Sequence, residues 1–165
     1  VVNEIRFHVD GDPRPQPKKM AFARKTPSGG VIARVYDTGG ANGWKALVAE
    51  AAKPHRLAEP IACPIRVDLR FYFRRPDRLM TRNVPDGELP HLGKFDVDNL
   101  TKAIFDTLTQ LGLWRDDKLV YRLFVEKYYA AKGGRPGMDA TITWESDAQP
   151  WLIPPARNTA EVRPF

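Results

Sequence analysis

Residues 4–10, EIRFHVD, repeat with period two: Ile5, Phe7 and Val9 fall on one side, Arg6 and His8 on the other. Successive side chains of an extended chain point to opposite faces, so this spacing predicts a half-buried strand. DGDPRPQPKK ends it, because Pro13, Pro15 and Pro17 supply no ladder donors. The Gly29–Gly30 pair signals a turn, with VIARVY as a short second strand after it. Asn42 is placed to cap a helix that presents Trp44, Leu47, Val48 and Ala51 on one face and stops at Pro54. Residues 65–73, IRVDLRFYF, carry the cleanest alternation, with Val67, Leu69, Phe71 and Phe73 inward and Arg66, Asp68, Arg70 and Tyr72 outward.

A long loop rich in Pro and Arg runs from Arg74 to Phe95, and loops of that length are commonly functional. In DVDNLTKAIFDTLTQLG the pattern becomes helical, with Leu100, Ala103, Ile104, Thr107, Leu108 and Leu111 on one face and Gly112 as the stop. Residues 118–129 and 138–144 read as strands joined through GGRPG. The pattern predicts an α+β fold: a mixed β-sheet of about five strands with two main helices packed on it. One domain is expected over 1–146, followed by an irregular Pro-containing tail over 147–165.

Composition sharpens this picture. There are 26 Lys+Arg against 20 Asp+Glu, a net charge of +6, which suggests a polyanionic partner. Pro13 to Tyr36 contains no acidic residue but holds Arg14, Lys18, Lys19, Arg24 and Lys25. Arg74, Arg75, Arg78, Arg82 and Lys94 lead into Asp96 along the second loop. Both loops are candidates for phosphate contacts, which would make binding salt-dependent and mostly independent of base sequence. Cys63 is the only cysteine, so an internal disulfide and a cysteine-rich zinc site are both excluded. No stretch has the roughly 20 apolar residues of a membrane span. A cytoplasmic protein without membrane association is expected.

The candidate chemistry is acidic. Asp96 and Asp98 are two residues apart, and Asp98 stands where a helix should begin, able to cap its free N–H groups. Lys102 follows one helical turn later. Carboxylates forced together repel unless a cation lies between them, and Mg²⁺ favours such hard oxygen donors. Taken alone, the motif is better served by an N-cap Asp98, a solvated Asp96 and a Lys102 paired with Asp98 or Asp106. Asp116 and Asp117 form a second acidic element in a turn before a strand, where a solvated turn is the plain alternative. The spacing is not that of a calcium-binding EF-hand, because Leu100 and Thr101 stand where an oxygen ligand and Gly are required. TGGANG at 38–43 lacks the lysine and spacing of a phosphate-binding P-loop. His8 belongs to the polar side of a strand, and His55 and His91 fall in loops, so a surface role is expected for each.

The joint spacing, DxDN-xx-K followed by W-x-DD, resembles the RusA family of Holliday-junction resolvases, small enzymes of bacteria and their prophages. The resemblance is close from Lys94 to about Val125 and looser elsewhere. It implies Mg²⁺-dependent endonuclease chemistry on DNA, with Mn²⁺ as a substitute. It implies Asp96, Asp98 and Asp117 as metal ligands, Lys102 as the assisting cation, and Asp116 as an extra ligand or a neighbour of the ligands. Asp106 is expected to orient Lys102 through an i,i+4 ion pair. The implied partner is branched DNA, a four-way junction cut symmetrically by a homodimer. The long 74–94 loop and the tail depart from the family pattern and leave a different branched-DNA preference open. A catalytically silent DNA-binding module using only the basic loops is the rival from another class.

Overall fold

The computed structural model describes residues 1–17, 20–25, 31–36 and 40–146. Strand β1 (Val2–Asp10) buries Ile5, Phe7 and Val9, as its alternation predicts. Strand β4 (Ile65–Phe73) buries Val67, Leu69, Phe71 and Phe73 and exposes Arg66, Asp68 and Arg70. These join β6 (Val120–Tyr129), β7 (Gly137–Glu145) and the two-residue β5 (Leu89–Pro90) in one sheet of order β1-β7-β4-β6-β5. β4 and β6 run parallel, and the other pairings are antiparallel.

Two helices complete the layer. Trp44 and Val48 of α1 (Asn42–Ala52) and Leu100, Ile104 and Leu108 of α2 (Val97–Leu111) share one apolar cluster with Ile5, Val67, Leu69 and Ile142. Each such large side chain removed from water contributes about 1.5–3 kcal/mol, so this face holds the fold together. Because β4 and β6 are parallel neighbours, the chain must cross over between them, and α2 is that crossover. The site residues therefore ride on the one connection the topology obliges to lie against the sheet.

The structure corrects several expectations. Asn42 is the first helical residue, not the cap; Ala41 holds that position and no side chain caps the helix. Leu47 is 46% exposed, and Ala52 is buried in its stead. VIARVY forms a strand, β3 (Val31–Tyr36), but it pairs with β2 (Met20–Lys25) in a separate two-stranded sheet. The fifth strand of the main sheet is β5, from inside the supposed long loop. A 3₁₀ turn at Asp77–Leu79 also organises that loop. The expected tail, from Asp147 onward, lies outside the described residues.

Candidate active site

α2 has two unlike faces. Leu100, Ala103, Ile104, Thr107 and Leu108 are buried, whereas Asp98, Lys102 and Asp106 follow one another at i,i+4 spacing on the side facing solvent. Asp96 is the N-cap by backbone, but its side chain makes no capping hydrogen bond. Asp98 is the second helical residue rather than the cap, where the helix dipole still favours a negative charge. Thr101 closes off the first turn by donating to the Val97 carbonyl at 2.8 Å.

The second acidic element returns to this face through a tight chain reversal. Gly112 ends α2 with φ +74, a left-handed conformation that glycine adopts without strain. The following residues are pinned: the Leu113 N–H donates to the Leu108 carbonyl at 3.0 Å, and Ile61 exchanges backbone hydrogen bonds with Leu113 and Arg115. Trp114 is buried, and its indole N–H donates to the Thr109 hydroxyl at 2.6 Å. A short 3₁₀ turn at Asp117–Leu119 then leads into β6.

The two carboxylates of this turn differ. Asp116 accepts from the Lys118 N–H at 3.0 Å and lies 3.1 Å from the Lys118 ammonium. These two contacts, the backbone one first, hold its pKa below the usual carboxylate value. Asp117 is exposed and lines a cleft of about 710 Å³ together with Asp98, Lys102 and Asp106. Val97, Phe105 and Leu123 supply the apolar part of the same cleft.

The structure thus brings Asp98, Lys102 and Asp117 together and adds Asp106. Asp96 is exposed at the head of the helix and is not among the lining residues. Among the described residues, no three His, Cys, Asp or Glu side chains are gathered closely enough to hold a metal ion. The ion pair expected between Lys102 and Asp106 does not form among the described residues, nor does one between Lys102 and Asp98. Two exposed carboxylates on one cleft do fit Mg²⁺, which is usually held by one or two carboxylates and keeps waters for a phosphate.

The basic residues divide as well. Arg14, Arg78, Arg82 and Lys94 are exposed, and Arg74 lies 4.0 Å from Asp12. Arg75 is not available to DNA: it is 7% exposed, and its guanidinium donates to the carbonyls of Ala130, Leu79, Pro85 and Gly87. Lys18 and Lys19 lie outside the described residues, while Arg24 and Lys25 fall on β2. The first basic loop is tied to the site by its backbone, since the Gln16 N–H donates to the Asn99 carbonyl in the first turn of α2 at 2.9 Å. His91 contradicts the surface reading; it is 7% exposed and stacks on Phe73.

One group near the site escaped the sequence reading. Lys127 lies in register with buried Phe71, and its ammonium donates to the Phe95 carbonyl, one residue before Asp96, at 2.6 Å. Its signal was a lysine on the inward beat of β6, between Val125 and Tyr129.

The family model described as Endodeoxyribonuclease RusA matches residues 10–139, most of the chain and all of the cleft. The chain belongs to the RusA endodeoxyribonuclease family. It is 34% identical over 96 residues to the crossover junction endodeoxyribonuclease of Enterobacteria phage 82, covering 58% of this chain and 65% of that protein. The protein of that name from Escherichia coli O139:H28 (strain E24377A / ETEC) gives the same identity and coverage. Crossover junction endodeoxyribonuclease RusA of Escherichia coli (strain K12) is 46% identical over 55 residues, 33% of this chain and 44% of that protein. The chain therefore spans less than two thirds of the length of these curated relatives. Among the described residues of this RusA-family chain, no helix is long and apolar enough to cross a membrane.

Proposed function

We propose that this RusA-family chain is a Mg²⁺-dependent endodeoxyribonuclease that hydrolyses phosphodiesters in branched DNA, with the four-way junction as its substrate. One observation carries the reading: Asp98, Lys102 and Asp117, separated in sequence, line a single solvent-open cleft. Asp98 and Asp117 would hold the metal, with Asp96 joining from the head of α2, and Mn²⁺ would substitute. When bound, the metal supplies Lewis-acid polarisation of the phosphate and activation of water. Lys102 faces the same space and stabilises the added negative charge of the transition state. Asp116 is a turn cap, held by Lys118, and takes no part as a ligand.

The exposed Arg14, Arg78, Arg82 and Lys94 contact phosphates and steer a strand toward the cleft. Paired incision of a junction calls for two copies. A homodimer is supported by β6, whose outer edge is paired by β5 only at Tyr128 and Tyr129 among the described residues. The same strand exposes Tyr121 and Phe124, large side chains suited to a partner.

Incubating the purified protein with a four-way junction, a flap and a linear duplex, with and without Mg²⁺, tests the proposal. Symmetric, Mg²⁺-dependent incision of the junction alone is expected. Equal cutting of all three rejects junction selectivity, and cleavage by Asp98→Asn and Asp117→Asn variants rejects the site. A nuclease that selects flaps would use the same residues, and the flap substrate separates the two readings.

A further inference from the structure

Asp96 is reached through residues 91–95, a segment held against the end of the sheet by groups outside the cleft. The His91 N–H donates to the Lys127 carbonyl at 2.9 Å, extending the short ladder between β5 and β6. The His91 ring stacks on Phe73 with centroids 4.0 Å apart and meets Tyr129 edge-on at 4.6 Å. Phe95 packs on the same Phe73 at 5.6 Å. Gly93 lies so close to this stack that a Cβ there would fall 2.7 Å from the His91 ring. The last tie is the Lys127 ammonium on the Phe95 carbonyl, at 2.6 Å. That carbonyl belongs to the planar peptide joining Phe95 to Asp96, so the ammonium fixes the direction in which Asp96 leaves the strap.

Lys127 occupies a position where the strand pattern asks for an apolar residue. Placing a cation on the inward side costs desolvation, offset here by a charge-assisted hydrogen bond. The Phe95 carbonyl is its one side-chain acceptor among the described residues. Burial first, and then the Lys127 charge, depress the pKa of His91.

We propose that Lys127 is a positioning residue for Asp96: its ammonium holds the Phe95–Asp96 peptide and sets the direction from which the Asp96 carboxylate meets a divalent cation. The inference rests on the reading of Asp96 as a metal-binding carboxylate. Removing a group that orients a metal ligand typically changes metal affinity about 10–100-fold. DNA contacts made by the exposed arginines do not depend on it.

The test is a Mg²⁺ titration of junction cleavage, with Mn²⁺ binding followed by electron paramagnetic resonance as a readout independent of turnover. Wild type, Lys127→Met, Lys127→Arg and Asp96→Asn are compared, with melting temperature and junction affinity in Ca²⁺ as controls. Lys127→Met is expected to raise the half-saturating Mg²⁺ about tenfold or more and to weaken Mn²⁺ binding in parallel. Its kcat at saturating Mg²⁺, its junction affinity and its melting temperature stay near wild type, and Lys127→Arg recovers most of the metal affinity. Unchanged metal dependence in Lys127→Met, beside an inactive Asp96→Asn, overturns the positioning role and leaves Asp96 in place. Full activity of Asp96→Asn overturns the reading of Asp96 itself, and the role of Lys127 falls with it. If Lys127→Met does not fold, Lys127→Gln, too short to reach the carbonyl, decides by the same titration.

Discussion

Neighbouring residues of the same charge do different work here, and their partners decide which. Asp116 spends its carboxylate on the Lys118 backbone and ammonium, while Asp117 turns into the cleft beside Asp98 and Lys102. Asp117→Asn should therefore abolish cleavage while leaving the melting temperature and junction binding near wild type. Asp116→Ala should retain cleavage and lose stability instead. The pKa of Asp116 is lower in the folded state, so its contribution is present above the unfolded value of 3.8 and vanishes as pH falls through the folded value. Melting curves of Asp116→Ala and wild type should accordingly differ at neutral pH and converge in strong acid. His8 carries the opposite sign. Its Nδ1 lies 2.6 Å from Asp139 and its Nε2 3.4 Å from Asp10, and the Asp139 hydrogen bond leads in raising its pKa above 6.5. Stability from this pair is complete below 6.5 and is lost as pH rises through the folded value. His8→Asn should lower the melting temperature at pH 5.5 and leave it unchanged at pH 9. An equal loss at both values would show that the pair acts through packing and not through charge.

At the level of elements, legibility in sequence tracks periodicity. β1, β4 and α2 each repeat an apolar residue at one spacing over several turns or pleats, so their buried faces could be read directly. β5 could not, since two residues ending in Pro90 carry no period and exist as a strand only because β6 lies beside them. The same limit applies to the site. The stripe Asp98, Lys102, Asp106 follows from helical spacing, whereas the arrival of Asp117 depends on a reversal pinned by Ile61, a residue some fifty positions upstream. His91 and Arg75 misled for a related reason: both look solvated in a polar loop, and both are buried by packing that no local pattern encodes. Arg75 offers a measurable consequence. Its guanidinium satisfies four carbonyls, so Arg75→Met should leave buried acceptors unpaired and cost about 3 kcal/mol in urea denaturation. A variant with wild-type stability and weakened DNA binding would return Arg75 to the phosphate-contact set.

Across the whole molecule, the helices and their cleft occupy one side of the sheet, and exposed basic residues stand on the two segments that lead to α2: Arg14 on the first, and Arg78, Arg82 and Lys94 on the second. Gln16 ties the first loop to the opening turn of α2, and the second loop runs directly into Asp96. The second loop is not a slack chain. Arg75 braces it from within, and Lys132 donates to the carbonyls of Thr81 and Val84 and to the Asp86 carboxylate. Arg78 and Arg82 are thus presented on a fixed frame, which would lower the entropy lost on contact with a phosphate. Each phosphate neutralised releases counterions, so log affinity falls with log salt by about 0.9 per contact on duplex DNA. Arg78→Gln and Arg82→Gln should each reduce that slope by about 0.9, and together by about 1.8, when junction binding is measured in Ca²⁺ over a range of salt. Arg75→Met, where it remains folded, should leave the slope unchanged while shifting its intercept, because it alters the frame and not the charge that meets the DNA. A slope indifferent to Arg78 and Arg82 would move the DNA path off this loop and onto the Arg14 side of the molecule.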